Sequence, residues 1–264
     1  MNNTTLYNQT IHQLRECYDI HAEKFSSTRK KRRPELDYIV EKLLSQQKDN
    51  AKWLSIIELW CWDGRLFWYI TEHHPQLLDR YIGVDISSNL LSIAKKNFSD
   101  SNKAQRVHDD MIHYLSTCDN EAVDAIICIA SFQHLPDIIS RKVFLHHIYR
   151  VLVYEGSFSS VDWSWSAWML QKHRKLLWES LKKTASSRWK REWNNLLIPF
   201  TDKGITKKRL YHIFTVFELQ RLLSSHGFHY GSYIYSAQDG SFHHTILKAR
   251  NICTYVQKKI FYKK

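Results

Sequence analysis

Long apolar runs, paired cysteines and glycine are what this sequence has little of. No apolar stretch approaches the roughly 18 residues that a membrane-crossing helix needs, so no transmembrane span is expected. The first residues, Met1 to Leu14, are polar and lack an apolar centre, which argues against a secretory leader. Five cysteines stand at Cys17, Cys61, Cys118, Cys128 and Cys253, and no two have C-x-x-C spacing. That gives no support to a zinc knuckle or a redox pair. An odd, dispersed set suits a reducing cytoplasm, and a cytoplasmic protein without a metal is expected. Glycine numbers only 7 in 264 residues, well under its usual share of about 7%. Tryptophan, at 10, is unusually plentiful.

What is there begins with size and charge. A length of 264 residues suits one enlarged domain, or one domain with an inserted or terminal cap. A core of that size is stable without disulfides or metals. Apolar residues make up 44% and charged residues 24%, ordinary values for a soluble globular chain. The net charge is +12, a surplus that favours phosphate-rich partners or simply keeps the surface solvated. Its distribution is uneven. Lys24, Arg29, Lys30, Lys31, Arg32 and Arg33 form one cluster. Lys172, Arg174, Lys175, Lys182, Lys183, Arg188, Lys190 and Arg191 form a second, and Lys203, Lys207, Lys208 and Arg209 a third.

Hydrophobic spacing supplies the organisation. Residues 7–25 and 35–47 carry apolar positions at helical intervals. The pattern then changes to short apolar runs: 54–59, 81–85, 104–108, 123–130 and 156–161 read as strands. Helical segments lie between them, one opening at Arg65, one capped by Ser87, and one running from Ile138 to Leu152. Strands alternating with helices imply a parallel, doubly wound α/β sheet. Residues 164–198 are basic, aromatic and helix-like, and read as a cap or lid. Thr215 to His226 reads as a further helix, and 228–236 with 241–249 as an antiparallel pair of strands.

Ligands of such sheets lie at the carboxyl ends of the strands, near the switch in strand order. The first strand ends in Glu58-Leu-Trp-Cys-Trp-Asp-Gly-Arg65. The second ends in Asp85, 21 residues past Gly64, where a carboxylate can accept both hydroxyls of a ribose. Asp109 and Asp110 follow the third strand, where a carboxylate can receive an adenine amino group. Taken singly, Asp85 serves equally well as a helix cap and the Asp109–Asp110 pair as a solvated turn. Taken together, they are the stations an adenosine moiety needs.

The run Glu58–Arg65 resembles the first motif of class I S-adenosylmethionine-dependent methyltransferases, which reads acidic-leucine-glycine-cysteine-glycine-x-glycine. Gly83-Val-Asp-Ile-Ser-Ser88 resembles the second motif, and Asp110-Met111, Asp124-Ala125 and Arg150–Gly156 fall at its later stations. The resemblance covers about residues 53–162. It implies a Rossmann-like, mostly parallel sheet of seven strands in the order 3-2-1-4-5-7-6, with S-adenosylmethionine as cofactor. By it, Glu58, Trp60, Cys61, Trp62, Gly64, Asp85, Ile86, Asp110, Met111 and Ser131 become the cofactor-binding candidates. One departure stands out. Trp60 and Trp62 occupy positions where that family has glycines, which let the backbone approach the methionine part of the cofactor. Either the domain has lost its cofactor and only binds RNA, or the codon translated as tryptophan is UGA read as glycine, as in some bacteria. The second reading accounts for scarce glycine and plentiful tryptophan together; Trp53 and Trp68 are then further cases to test.

A narrower resemblance joins the chain to the tRNA wobble-uridine carboxymethyl methyltransferases. Tyr18-Asp-Ile-His-Ala-Glu-Lys-Phe-Ser-Ser-Thr-Arg29 with Pro34 is similar to that family's opening. Arg209-Leu-Tyr-His-Ile-Phe214, then Glu218-Leu219, is similar to a run near its end, and Ala130–Leu135 to a histidine-bearing turn after the fourth strand. The 164–200 segment and Arg33 do not match the family. The resemblance implies methyl transfer to a carboxylate oxygen on a modified uridine of tRNA. A carboxylate is already nucleophilic at neutral pH, so the enzyme's task is positioning more than proton removal. Arg29 and Arg209 are candidates to hold that carboxylate. Tyr211, His212 and His134 are candidates to orient the base or ribose, although His134 can simply cap the following helix. Eukaryotic relatives act with a small activator subunit; none is assumed for this chain.

The expected layout is an N-terminal helical segment over 1–50, a cofactor-binding core over 51–163, a helical cap over 164–210 and a C-terminal helix with hairpin over 211–264. A small-molecule acceptor remains the competing enzymatic reading, since the cofactor motifs do not set the acceptor.

Overall fold

The computed structural model describes residues 3–28, 34–50, 52–96, 98, 102–186, 192–237, 239–244 and 249–259. Arg29 and the basic run 30–33 lie outside the described residues, as do Arg188, Lys190 and Arg191.

Two helices, α1 (Asn3–Ile20) and α2 (Ala22–Ser27), open the chain, and α3 (Pro34–Asn50) follows. Then come β1 (Leu54–Leu59), α4 (Arg65–His73), β2 (Leu78–Asp85), α5 (Ser88–Ala94), β3 (Ala104–His108) and α6 (Met111–Thr117). The alternation continues with β4 (Val123–Ile129), α7 (Ile138–Val151) and β5 (Leu152–Trp163). The remainder is α8 (Ala167–Ser186), β6 (Asn195–Asp202), β7 (Ile205–His212), α9 (Val216–Ser224), β8 (Phe228–Ala237), β9 (Phe242–His243) and β10 (Ala249–Lys258).

The main sheet has eight strands in the order β3-β2-β1-β4-β5-β10-β8-β9. The five strands from β3 to β5 pair parallel, and β10 then pairs antiparallel with both β5 and β8. With β8 and β10 counted as the sixth and seventh strands, this is the expected order plus one two-residue edge strand, β9. The expected strand at 241–249 is a correction: the pairing segment is Ala249–Lys258, because Ile252, Cys253 and Val256 are the apolar residues that reach the core.

The cap is a second correction. Only its first half is helical. Residues 195–212 form a two-stranded antiparallel hairpin, β6 with β7, outside the main sheet. Pro199 fits there because a two-stranded ribbon leaves one side of each strand unpaired, so a missing N–H costs no ladder bond. The hairpin buries Leu196, Ile198, Tyr211 and Ile213 with Met169 and Leu177 of α8, a small core of its own.

Local chemistry starts the helices where the spacing anticipates them. The Ser87 hydroxyl accepts from Leu90 N before α5, Asp110 accepts from Ile112 N and His113 N before α6, and Thr215 accepts from Glu218 N before α9. Asp137 and Ser140 exchange bonds as a capping box before α7. The inner strands β1 and β4 are buried almost throughout, as parallel strands covered on both faces must be. On one face Phe132 stacks between Phe144 and Phe214, with Phe158 edge-on. Phe132 is fully buried, so Phe132→Ala leaves a cavity at the junction of α7, β5 and the chain leading into α9. We expect a loss of about 3–5 kcal/mol in urea denaturation, with an unchanged slope against denaturant.

Candidate active site

The carboxyl ends of β1, β2 and β4 form one edge of the sheet, and the loop 60–64 crosses it. Backbone bonds fix the loop's path: Cys61 N donates to Val84 O at 2.9 Å and Gly64 N to Cys61 O at 2.9 Å. Asp85, at the tip of β2, does the rest. Its Oδ2 accepts from Trp62 N at 2.8 Å and its Oδ1 from Ser87 N at 2.8 Å. The carboxyl is 2% exposed, and burial pushes its pKa up to about 7. Glu58, at the end of β1, is likewise buried; Tyr81 donates to it, and burial pushes its pKa up to about 8.

Three positions of the loop have left-handed backbone: Trp60 at φ 59°, Trp62 at φ 57° and Gly64 at φ 74°. At Gly64 the requirement for glycine is plain, since a Cβ there would sit 2.2 Å from the Phe98 ring. A bulky side chain in this backbone region costs of order 1–3 kcal/mol. Trp60 and Trp62 carry that strain, and their indoles fill the space above the loop. Trp60 stacks on His134 at 5.1 Å between centroids and meets Tyr18 edge-on at 6.1 Å. Trp62 meets Phe25 edge-on at 4.7 Å.

Tyr18 and Phe25 belong to a roof made by α1 and α2, which is bonded to the loops beneath it. Asp19 accepts from Ser87 Oγ at 2.7 Å, Ser26 Oγ donates to Asp63 at 2.8 Å, and Tyr7 donates to Asp110 at 2.6 Å. The Asp110 carboxylate is therefore committed to its helix cap and to Tyr7. Met111 and Ile86 are buried beside it, and Ser131 Oγ donates to Leu59 O at 3.0 Å. Cys61 lines the cleft, and its sulfur lies only 2.8 Å from where a Cβ on Gly83 would stand. The cleft beside Trp62 is small, with about 20 Å3 of space for the centres of water-sized molecules, room for about one water. Leu36, Glu58, Asp63, Arg65, Leu66 and Ile129 line it with the loop.

A second group of side chains adjoins the loop. Arg209 of β7 is 6% exposed, and its guanidinium lies over Phe200 at 4.6 Å, Tyr211 at 5.2 Å and Tyr18 at 5.8 Å. Its Nε and Nη1 have no hydrogen-bond partner, and no carboxylate among the described residues pairs with it. His134 donates from Nδ1 to Leu210 O and accepts at Nε2 from Tyr18 at 3.0 Å. Burial lowers its pKa to about 3, so it is a neutral, fixed ring that neither caps a helix with its side chain nor stands ready to take a proton. Tyr211 packs against His134 at 4.6 Å and Trp163 at 4.5 Å. His212 lies elsewhere. It bonds Asn195 at 2.7 Å and Glu218 at 2.7 Å, and pairs with Glu192, which also holds Arg141.

The structure thus brings Arg209, Tyr211 and His134 together with Trp60, and leaves His212 in a separate polar network. His21 and Phe200 join the group without having been singled out in the sequence: their rings meet at 5.0 Å, and His21 Nε2 is buried without a partner. The signal for His21 was its place in the run 18–29; nothing in the spacing marks Phe200.

Residues 56–156 match the model of the methyltransferase domain family. The match runs from β1 into β5, the part of the chain that carries the strand-end site, and S-adenosylmethionine is the cofactor it indicates. No curated protein matches the sequence. Solved structures share its fold. A SAM-dependent methyltransferase from Methanosarcina mazei is similar at 18% identity and TM-score 0.60, over 80% of this chain and 94% of its own. DhpI, solved with SAH, is similar at 15% and 0.60, over 96% and 98%. A Burkholderia thailandensis 1,6-didemethyltoxoflavin-N1-methyltransferase is similar at 12% and 0.59, over 96% and 91%.

The residues fit that cofactor at one end only. Asp85 ends β2, a position from which a carboxylate could accept ribose hydroxyls. At the loop 60–64 the fit fails, because the Trp60 and Trp62 indoles fill the space between the loop and Tyr18, Phe25 and His134. Among the described residues, no helix is long and apolar enough to cross a membrane, and no group of His, Cys, Asp or Glu is arranged to hold a metal.

Buried carboxyls at this edge set a pH dependence. Asp162, fully buried at the end of β5, accepts from Gln133 N and Ser160 Oγ, and burial pushes its pKa from 3.8 up to about 7. The folded state therefore favours the protonated acid. The stability this contributes is full below pH 3.8 and is lost as the pH rises toward about 7. Asp162→Asn is expected to flatten the fall of melting temperature across that window; an unaltered slope would remove Asp162 from the account.

Proposed function

We propose that this methyltransferase methylates a carboxylate oxygen carried by a tRNA nucleoside, the carboxymethyl group of a wobble uridine. The observation that carries the reading is Arg209. A buried guanidinium with two unpartnered N–H sites and no facing carboxylate is costly in the free protein. It is stabilised when an anion takes those two donors, and a carboxylate accepts them side by side.

The neighbours suit a planar acceptor. Tyr18, Tyr211, Phe200 and the neutral His134 surround the guanidinium with aromatic rings, a setting in which a nucleobase could stack. Tyr18 is held by His134, so its ring is fixed relative to the loop. No side chain here needs to act as a base, since the acceptor is already an anion at neutral pH.

Charge supports RNA as the carrier. The net charge is +12, and α8 exposes Lys172, Arg174, Lys175, Lys182 and Lys183 beside an exposed Trp178. Lys182 lies 5.9 Å from the Trp178 ring. Basic residues interleaved with an aromatic can meet both phosphate and base.

The test is binding, measured by fluorescence anisotropy with an anticodon stem-loop bearing carboxymethyluridine, and with the same RNA as its methyl ester. The free acid is expected to bind roughly tenfold more tightly, with a salt-dependent affinity. Arg209→Lys should keep the salt dependence and lose most of the preference for the acid. Equal binding of acid and ester by the unaltered protein would end the carboxylate reading. Failure of the RNA to bind at any salt concentration would leave a small-molecule acceptor instead.

A further inference from the structure

We infer that the functioning protein carries glycine, not tryptophan, at positions 60 and 62. Four independent observations converge. The first is backbone. Among the described residues, Trp60 and Trp62 are the only tryptophans with left-handed φ, and they share that conformation with Gly64 at two-residue spacing. The loop is thus built as three glycine positions, of which one holds glycine.

The second is packing. Trp60 Nε1 is buried without a hydrogen-bond partner, whereas a tryptophan that belongs in a core finds one for its N–H. The third is path. Backbone bonds from Cys61, Trp62 and Gly64, to Val84, Asp85 and Cys61, hold the loop in place. None of them depends on a side chain at 60 or 62. The fourth is composition: 7 glycines and 10 tryptophans in one chain. A single cause, a UGA codon read as glycine in the source cell, accounts for all four.

The inference also discriminates among the tryptophans. Trp68 lies within α4, Trp53 precedes β1, both are exposed, and neither has left-handed backbone. Geometry marks neither of them. Removing the indoles at 60 and 62 frees the space between the loop and the roof residues Tyr18 and Phe25, which is where the methionine end of the cofactor has no room otherwise. The inference rests on the methyltransferase domain and is independent of the tRNA acceptor.

The test starts with protein purified from its native host. Trypsin releases the peptide Trp53–Arg65, and each glycine in place of tryptophan makes it about 129 Da lighter. Fragment masses assign the change. Glycine at both 60 and 62 is the expected result; tryptophan at either position overturns the inference. A second readout is calorimetry with S-adenosylhomocysteine. The doubly substituted protein, Trp60→Gly with Trp62→Gly, is expected to bind at least tenfold more tightly than the protein with tryptophan at both. Equal affinity would show that the indoles do not obstruct the site and would also overturn it. The acceptor-binding measurement on Arg209 does not depend on either result, so the two readings fail separately.

Discussion

Two hydrogen bonds to one buried carboxylate organise this molecule. Asp85 receives the amide of residue 62 from the loop after β1 and the amide of Ser87 at the start of α5. It thereby ties the loop after β1 to the end of β2, next to the switch in strand order between β1 and β4. Desolvation alone would favour a protonated, idle carboxyl there. What keeps the group useful is its position, since a polar ligand at the strand ends restores the solvation that burial removes.

Much of this architecture was legible in the sequence. Short apolar runs separated by capped helical segments specify the parallel half directly, because strands buried on both faces leave no polar alternation to confuse them. The C-terminal half was less legible. Among its described residues the segment 241–249 forms only the short edge strand β9, with Phe242 half-buried against the core, whereas Ile252, Cys253 and Val256 are fully buried. Residues 195–212 hid a hairpin because several of their apolar side chains pack with α8 in a small core of their own, and because Lys207, Lys208 and Arg209 read as surface charge.

The site shows the same division. Asp85 and Gly64 were marked by their separation along the chain. Arg209 and His134 meet only in three dimensions, and only the fold shows that Arg209 is buried with unused donors. His212, next to Tyr211 in β7, is committed to Asn195 and Glu218, so adjacency in sequence says little about adjacency in a strand, where successive side chains point to opposite faces. Arg29 lies outside the described residues, and its part in holding an acceptor remains a proposal.

The roof has a consequence for timing. Three of its side-chain bonds, Asp19 with Ser87, Ser26 with Asp63 and Tyr7 with Asp110, land on the chain just past the carboxyl ends of β2, β1 and β3. A molecule entering beneath α1 and α2 has to part those bonds, so access from that side is tied to movement of the first helices, and covers of this kind govern release in many enzymes.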